Sequence, residues 1–272
     1  MKILAVVASP RGRGKTYGTV RQVEETLKRY EPDMEFEYMI LKDTDLQTCR
    51  GCYLCLDRGE QFCPIKDERA VIEHKMLACD GFIFASPVYV YNMSWMAKNF
   101  FDRYAYICHR PRFHNKKAMV VSTTGAVGLQ LTLLMLVLSL KFWGFDVAGR
   151  LGVRIPPMRK EELDLDTEYK NEKAMEKAAM KFYRAVKNDQ KRKPGILNMM
   201  IFSLQKAAFG NAVRDSADYI YWKEKGWLKP EAKYYYETHI GPVKSFISSI
   251  LTAIFLMPAI KKPKADGTAY KA

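Results

Sequence analysis

The run Ile3-Leu4-Ala5-Val6-Val7-Ala8, continued by Ser9-Pro10-Arg11-Gly12-Arg13-Gly14-Lys15-Thr16, decides how this chain folds. A short, continuously apolar and partly β-branched run closed by proline and glycine reads as a strand buried on both faces. The turn after it is small, hydroxylated and basic, and a helical pattern follows from Tyr17 to Arg29. A strand, such a turn and a helix N-terminus together present backbone N–H groups and the positive end of a helix dipole to an anion, most naturally a phosphate. Two common phosphate motifs are excluded. Gly14-Lys15-Thr16 lacks the glycine that a Walker A loop needs five positions earlier, where Ser9 stands, and Gly12-Arg13-Gly14 lacks the third glycine of the dinucleotide fingerprint.

Outward from this unit, apolar runs alternate with helical patterns. Strands are predicted at Ile3 to Ala8, Phe36 to Ile40, Gly81 to Ala85, Ala118 to Ser122 and Val147 to Val153. Helices are predicted at Tyr17 to Arg29, Glu68 to Leu77, Trp95 to Tyr104 and Leu129 to Phe142, the last so apolar that it belongs in a core or at a subunit interface. Strands separated by helices build a parallel sheet covered on both faces, and five of them suit a doubly wound α/β sheet of order 2-1-3-4-5 that binds ligands at the strands' carboxyl ends. A charged helix from Glu161 to Lys193, ended by Pro194-Gly195, closes the domain, which gives a first domain at 1–194 and a helical, aromatic-rich, basic extension at 195–272.

The formal net charge is +14, and from Lys187 onward the chain carries 15 Lys/Arg against 7 Asp/Glu. No nucleic-acid motif accompanies this excess, so a solvated basic face is expected and a nucleic-acid partner is not. Phe246 to Ile260, followed by Lys261, Lys262 and Lys264, is too short to span a bilayer but suits an interfacial helix, so peripheral membrane contact competes with packing against the protein itself. The first residues lack the length and cleavage site of a signal peptide, which makes a cytoplasmic location the expectation.

Four of the six cysteines crowd together as Cys49, Cys52, Cys55 and Cys63. Two-residue spacing brings thiols towards one point, and an iron-sulfur cluster, a zinc ion and uncoordinated redox-reactive thiols all satisfy that pattern. Cys79 and Cys108 stand apart as ordinary small buried residues.

Ser9-Pro10-Arg11, the pair Gly14 and Thr16, the cysteine segment and Ser86-Pro87-Val88-Tyr89-Val90-Tyr91-Asn92-Met93-Ser94 together resemble the NADPH-dependent FMN reductase and iron-sulfur flavoprotein branch of the flavodoxin-like superfamily. The likeness covers roughly Met1 to Val153. It implies FMN, with the phosphate held by Ser9, Arg11, Gly14, Lys15 and Thr16, although Lys15 stands where the family has asparagine. It further implies ring contacts from Pro87, Val88, Tyr89 and Asn92, and from Thr124 and Gly125 in the loop after the fourth strand. Such loops supply flat apolar contact and N–H donors to a flavin edge that gains negative charge on reduction.

The implied activity is hydride transfer from NAD(P)H through FMN to a small-molecule or protein acceptor, in a homodimer, with no protein side chain acting as a catalytic residue. Cys49, Cys52, Cys55 and Cys63 match the ligands of the iron-sulfur flavoproteins, so an electron-transfer protein with a [4Fe-4S] cluster is the alternative. A membrane-surface protein with a regulatory flavin is a third. Arg110 and Arg112 are candidates for a nicotinamide phosphate, whereas Asp102-Arg103 reads as a structural ion pair or cap, and His109 and His114 have no assigned role.

Overall fold

The computed structural model describes residues 1–114, 116–156, 161–188, 191 and 193–256. The chain divides into two compact units, Met1–Arg192 and Lys193–Ala272. In the first, strands β1 (Lys2–Val7), β2 (Glu35–Ile40), β3 (Gly81–Tyr89), β4 (Asn92–Met93), β5 (Lys117–Thr124) and β6 (Asp146–Arg154) form one sheet. Its main path runs β2-β1-β3-β5-β6, all parallel. This is the expected flavodoxin-like, doubly wound order.

Alternation along the strands separates two cores. Leu4, Val6, Phe82, Phe84, Ala118 and Val120 face helices α3 (Arg69–Ala78), α4 (Trp95–Arg103) and α6 (Leu129–Phe142), through Ile72, Met76, Phe100, Phe101, Leu133, Leu136 and Leu140. Their neighbours Ile3, Ala5, Val7, Ile83, Ala85, Met119 and Val121 face α1 (Lys15–Lys28) and α7 (Leu165–Asn188). Because side chains alternate across a pleated strand, a strand covered on both faces must be apolar throughout. That is why the opening run carries no polar residue before Ser9. Gly81 opens β3 where α7 approaches closely: a Cβ there would lie 2.7 Å from Ile3 Cδ1 and 2.8 Å from Phe182 Cζ.

Three features differ from the sequence expectation. The third strand continues past Ala85 to Tyr89 and returns through β4, so Ser86–Ser94 is a hairpin and not a loop. Val90 and Tyr91 at its tip hold φ of 47° and 61°, a turn for which asparagine and glycine are the usual residues, so the sequence lacks the signature. The charged helix starts at Leu165, because Asp164 accepts hydrogen bonds from Thr167 N at 2.9 Å and Thr167 Oγ1 at 2.7 Å; it is described to Asn188, and the expected stretch at 189, 190 and 192 lies outside the described residues. Helix α6 buries Thr132, Leu133, Leu136 and Leu140 and exposes Leu131 and Leu134, so only one face of that apolar run enters the core.

Two short helices complete the first unit, α2 (Leu54–Asp57) in the cysteine segment and α5 (Ala105–His109). The second unit contains α8 (Ile196–Gly210), α9 (Ala217–Glu224) and α10 (Pro242–Leu256). Phe202, Phe209, Trp222 and Trp227 form its core with Tyr221, Tyr234 and Tyr235, and Trp227 Nε1 donates to the Tyr235 carbonyl at 3.1 Å. Val243, Phe246, Ile250 and Ile254 on α10 are exposed; residues 257–264 of the expected interfacial segment lie outside the described residues. Among the described residues no helix is long and apolar enough to cross a membrane.

Replacing Gly81 by valine overpacks the contact between β3 and α7. We expect a loss of about 1–3 kcal/mol, seen in urea unfolding as a lower midpoint with an unchanged slope.

Candidate functional site

The turn after β1 is built from its own backbone. Ser9 is buried; its carbonyl accepts from Gly12 N at 2.9 Å and its Oγ from Arg11 N at 3.3 Å, and Gly12 sits at φ 60°. Gly14 caps α1 without a side chain, and the first helical turn has no acidic residue. The first-turn amides of a helix have no partner within the helix, so this terminus offers donors and positive potential. A Cβ on Gly14 would come within 3.2 Å of Arg11 Cβ, so the cradle is tight. Thr16 is buried and its hydroxyl lies 2.8 Å from that of Thr123 at the end of β5, while Arg11 and Lys15 remain exposed. Arg13, the third cation of the turn, pairs with Asp43 at 3.0 Å.

A web of serines fixes the hairpin beside this turn. Ser94 Oγ donates to the Ala8 carbonyl at 2.5 Å and caps α4 by accepting from Ala97 N at 3.2 Å. Ser86 Oγ accepts from Ser94 N at 3.0 Å, and Ser122 Oγ donates to the Ser86 carbonyl at 3.0 Å. The exits of β1, β3 and β5 are thereby locked together. Pro87 is buried in this edge, Val88 is partly exposed, and Tyr89 and Asn92 lie exposed on the hairpin. Asn92 Oδ1 accepts from Met93 N at 2.8 Å.

Thr124 turns its hydroxyl into its own loop, donating to the Val127 carbonyl at 3.0 Å and accepting from Ala126 N at 3.2 Å, which leaves Gly125 exposed. That loop lies against the hairpin: a Cβ on Gly128 would stand 2.8 Å from Tyr91 Cα. The fold thus brings the three flavin-type segments identified from sequence to one sheet edge. Sequence reasoning missed Ser94, Ser122 and Thr123, whose hydroxyls order that edge; the only trace of them was a hydroxyl residue at the end of each apolar run.

The cysteine segment is held by side chains from elsewhere. Asn99 on α4 accepts from Cys49 N at 3.0 Å and donates to the Gln47 carbonyl at 3.2 Å. One turn further, Arg103 donates to both carboxylate oxygens of Asp67 at 2.7 Å and to Cys63 Sγ at 3.2 Å. Arg110 donates to the Cys55 carbonyl at 2.5 Å and pairs with Glu60 at 3.0 Å. Arg112 bridges Glu60 at 3.0 Å and Glu73 at 2.7 Å. Arg69, Arg110 and Arg112 surround the buried Tyr106 ring at 5.2, 5.6 and 5.4 Å, attracted by its quadrupole.

Arg110 and Arg112, the candidates for a nicotinamide phosphate, are tied into a partly buried ion network. His114 Nε2 lies 3.1 Å from the Pro111 carbonyl, a local contact. Of the two isolated cysteines, Cys79 is buried, whereas Cys108 is only partly so.

This network sets thiol chemistry. Burial alone would raise the Cys63 pKa, but the Arg103 hydrogen bond, the Ile65 amide and the Arg103 charge overcome it and hold the thiol below its ordinary value. Cys55 moves the other way, pushed up by burial and then by Cys63 and Cys49. All four clustered cysteines are free thiols. Among the described residues no group of three or more His, Cys, Asp or Glu is placed to hold a metal ion. A four-iron cube makes a different demand, because each iron takes one thiolate and the sulfurs stand further apart than around one tetrahedral ion. The donor set fits such a cube in number and type, and the buried Nε of Arg103 beside it lacks an acceptor.

A doubly wound parallel sheet with a glycine-containing turn after its first strand and two more loops at the same edge defines a flavodoxin-like domain. The family model for NADPH-dependent FMN reductase matches residues 1–154. The chain belongs to that family and is an FMN-dependent oxidoreductase.

An iron-sulfur flavoprotein of Methanocaldococcus jannaschii is 37% identical over 103 residues, 38% of this chain and 51% of that protein. An iron-sulfur flavoprotein of Archaeoglobus fulgidus is 27% identical over 231 residues, 84% of this chain and 100% of the relative. A third, from Methanosarcina thermophila, is 31% identical over 128 residues, 46% of this chain and 64% of that one. The chain thus spans about half to two thirds of two of these relatives and the whole of the other. Among solved structures, RosB with bound 8-demethyl-8-formylriboflavin-5'-phosphate superposes with a TM-score of 0.58 at 12% identity, covering 78% of this chain and 88% of RosB, a likeness of fold alone.

Glu60 supplies a pH test of the network. Burial opposes its ionisation, but Arg112 and Arg110 outweigh burial and hold its carboxyl below the ordinary 4.5. A carboxylate depressed on folding contributes stability above its unfolded pKa, and that contribution is lost as pH falls through the folded value. Melting temperatures taken from about pH 6 down to about pH 3 are expected to fall less steeply in Glu60→Gln than in the wild-type protein.

Proposed function

We propose that this protein takes a hydride from NAD(P)H on FMN and passes the electrons to a small-molecule or protein acceptor. The observation that carries this reading is the Ser94 to Ala8 hydrogen bond of 2.5 Å, which joins the phosphate-type turn to the hairpin at one edge. In this reading the amides of Gly14, Lys15 and Thr16 and the hydroxyl of Ser9 hold the FMN phosphate, with Arg11 and Lys15 adding charge. Pro87, Val88, Tyr89 and Asn92 line the flavin ring, and Thr124 and Gly125 contribute backbone donors to it. Bound there, FMN supplies hydride acceptance and one-electron release, and the chain supplies orientation and N–H donors to the edge that gains negative charge.

Residues 1–194 form the flavin domain in this account and 195–272 its extension. The exposed Leu131 and Leu134 of α6 favour a homodimer. A cytoplasmic setting suits free thiols, and the exposed apolar residues of α10 favour peripheral membrane contact, which co-sedimentation with anionic vesicles would test.

A second reading, of an electron-transfer iron-sulfur flavoprotein, is favoured by the Arg103 hydrogen bond to Cys63 and by the similarity to iron-sulfur flavoproteins. Cys49, Cys52, Cys55 and Cys63 would hold a [4Fe-4S] cluster, which would supply single-electron transfer.

Anaerobic purification followed by absorbance, iron and sulfide assays and addition of NADPH separates these readings. Flavin bleaching by NADPH in iron-free protein supports the reductase; cluster absorbance with no response to either nicotinamide supports electron transfer; protein that binds no FMN sinks both. Gly14→Asp places a carboxylate in the tight cradle and is expected to weaken FMN binding at least tenfold, about 1.4 kcal/mol, in a fluorescence-quenching titration. Unchanged affinity would remove the phosphate from this turn.

A further inference from the structure

We propose that Arg103, clamped by Asp67, is a positioning residue that holds the Cys63 corner of a cysteine-ligated cluster and raises its reduction potential. This rests on the reading in which the four clustered cysteines hold a [4Fe-4S] group.

The geometry is specific to Arg103. It lies at the end of α4, whose N-terminus is capped by Ser94 at the flavin-type hairpin, so one helix joins the two redox elements. Arg103 is 3% exposed, and both oxygens of Asp67 receive its NH2 group at 2.7 Å, which leaves little rotational freedom. NH1 is then directed at Cys63 Sγ at 3.2 Å. Nε is buried without a hydrogen-bond partner, which is costly unless an acceptor arrives. A sulfur-rich anionic group beside Cys63 supplies that acceptor.

Arg103 is ion-paired with Asp67, and its NH1 has the Cys63 sulfur as acceptor. Adding an electron to a thiolate-ligated cluster increases negative charge on its sulfurs, so a fixed N–H donor and a cation favour the reduced form, and hydrogen bonds to the sulfurs are among the factors that set such potentials.

The test is an anaerobic redox titration of reconstituted full-length protein, read by electron paramagnetic resonance and paired with iron assays. Arg103→Gln removes the charge and is expected to disfavour reduction about tenfold, about 59 mV for a one-electron couple. Arg103→Lys keeps the charge without the fork and should shift less, in the same direction. Lys98→Gln removes a charge from the exposed side of the same helix and should leave the potential unchanged. Should Arg103→Gln not fold, Asp67→Asn frees the guanidinium and is expected to lower the potential by a smaller amount. Equal potentials and equal iron in wild type and in the variants that fold overturn the role of Arg103. Wild-type protein that takes up no iron overturns the cluster reading and this inference with it, and the iron assay tells the two failures apart.

Discussion

The hydrogen bond from Ser94 to the Ala8 carbonyl is the constraint on which the site depends. Parallel strands fix their spacing through the ladder, but the ladder ends where the functional loops begin, and loops free to move would spoil any shared ligand site. Here one residue does three things: the Ser94 hydroxyl satisfies the carbonyl at the end of the apolar run and caps α4, and the Ser94 backbone N–H joins it to a serine web reaching β5. All three serines of that web are buried, so each bond acts in a medium where an unmade one is costly. The phosphate-type turn and the hairpin can then be treated as one surface.

Electrostatics divides the molecule differently. The turn after β1 has exposed cations and no acidic residue in the first helical turn that follows it, an arrangement open to an incoming ligand. The cysteine segment is instead gripped from behind by Asn99, Arg103 and Arg110, through backbone carbonyls, a thiol and ion pairs. One site is polarised outward and the other is braced.

The fold was legible because the opening strand had no polar interruption and each later strand repeated the pattern. The strand order and the grouping of the three loops followed from that regularity. Three things escaped. The hairpin was hidden because Val90 and Tyr91 occupy a left-handed turn that their residue types disfavour. The arginines could be seen but not their partners: Glu60, Glu73 and Asp67 come from distant sequence, and a basic loop at 108–117 looks the same whether it meets phosphate or carboxylate. The apolar helix at 129–142 showed its hydrophobicity but not which face would stay uncovered, since leucine stands on both sides.

The hairpin tip also bears on the order in which the molecule assembles. Two consecutive non-glycine residues at positive φ do not form a turn on local preference; they are held there by contacts such as Gly128 against Tyr91 and, at the base, Ser94 on Ala8, 86 positions away in sequence. Ser94 reaches Ala8 only where β1 and β3, themselves 78 positions apart at Ile3 and Gly81, have paired, so this contact follows the sheet. The flavin-type edge is then among the last parts to become ordered during folding. A nascent chain would show a competent sheet before it shows a competent binding surface.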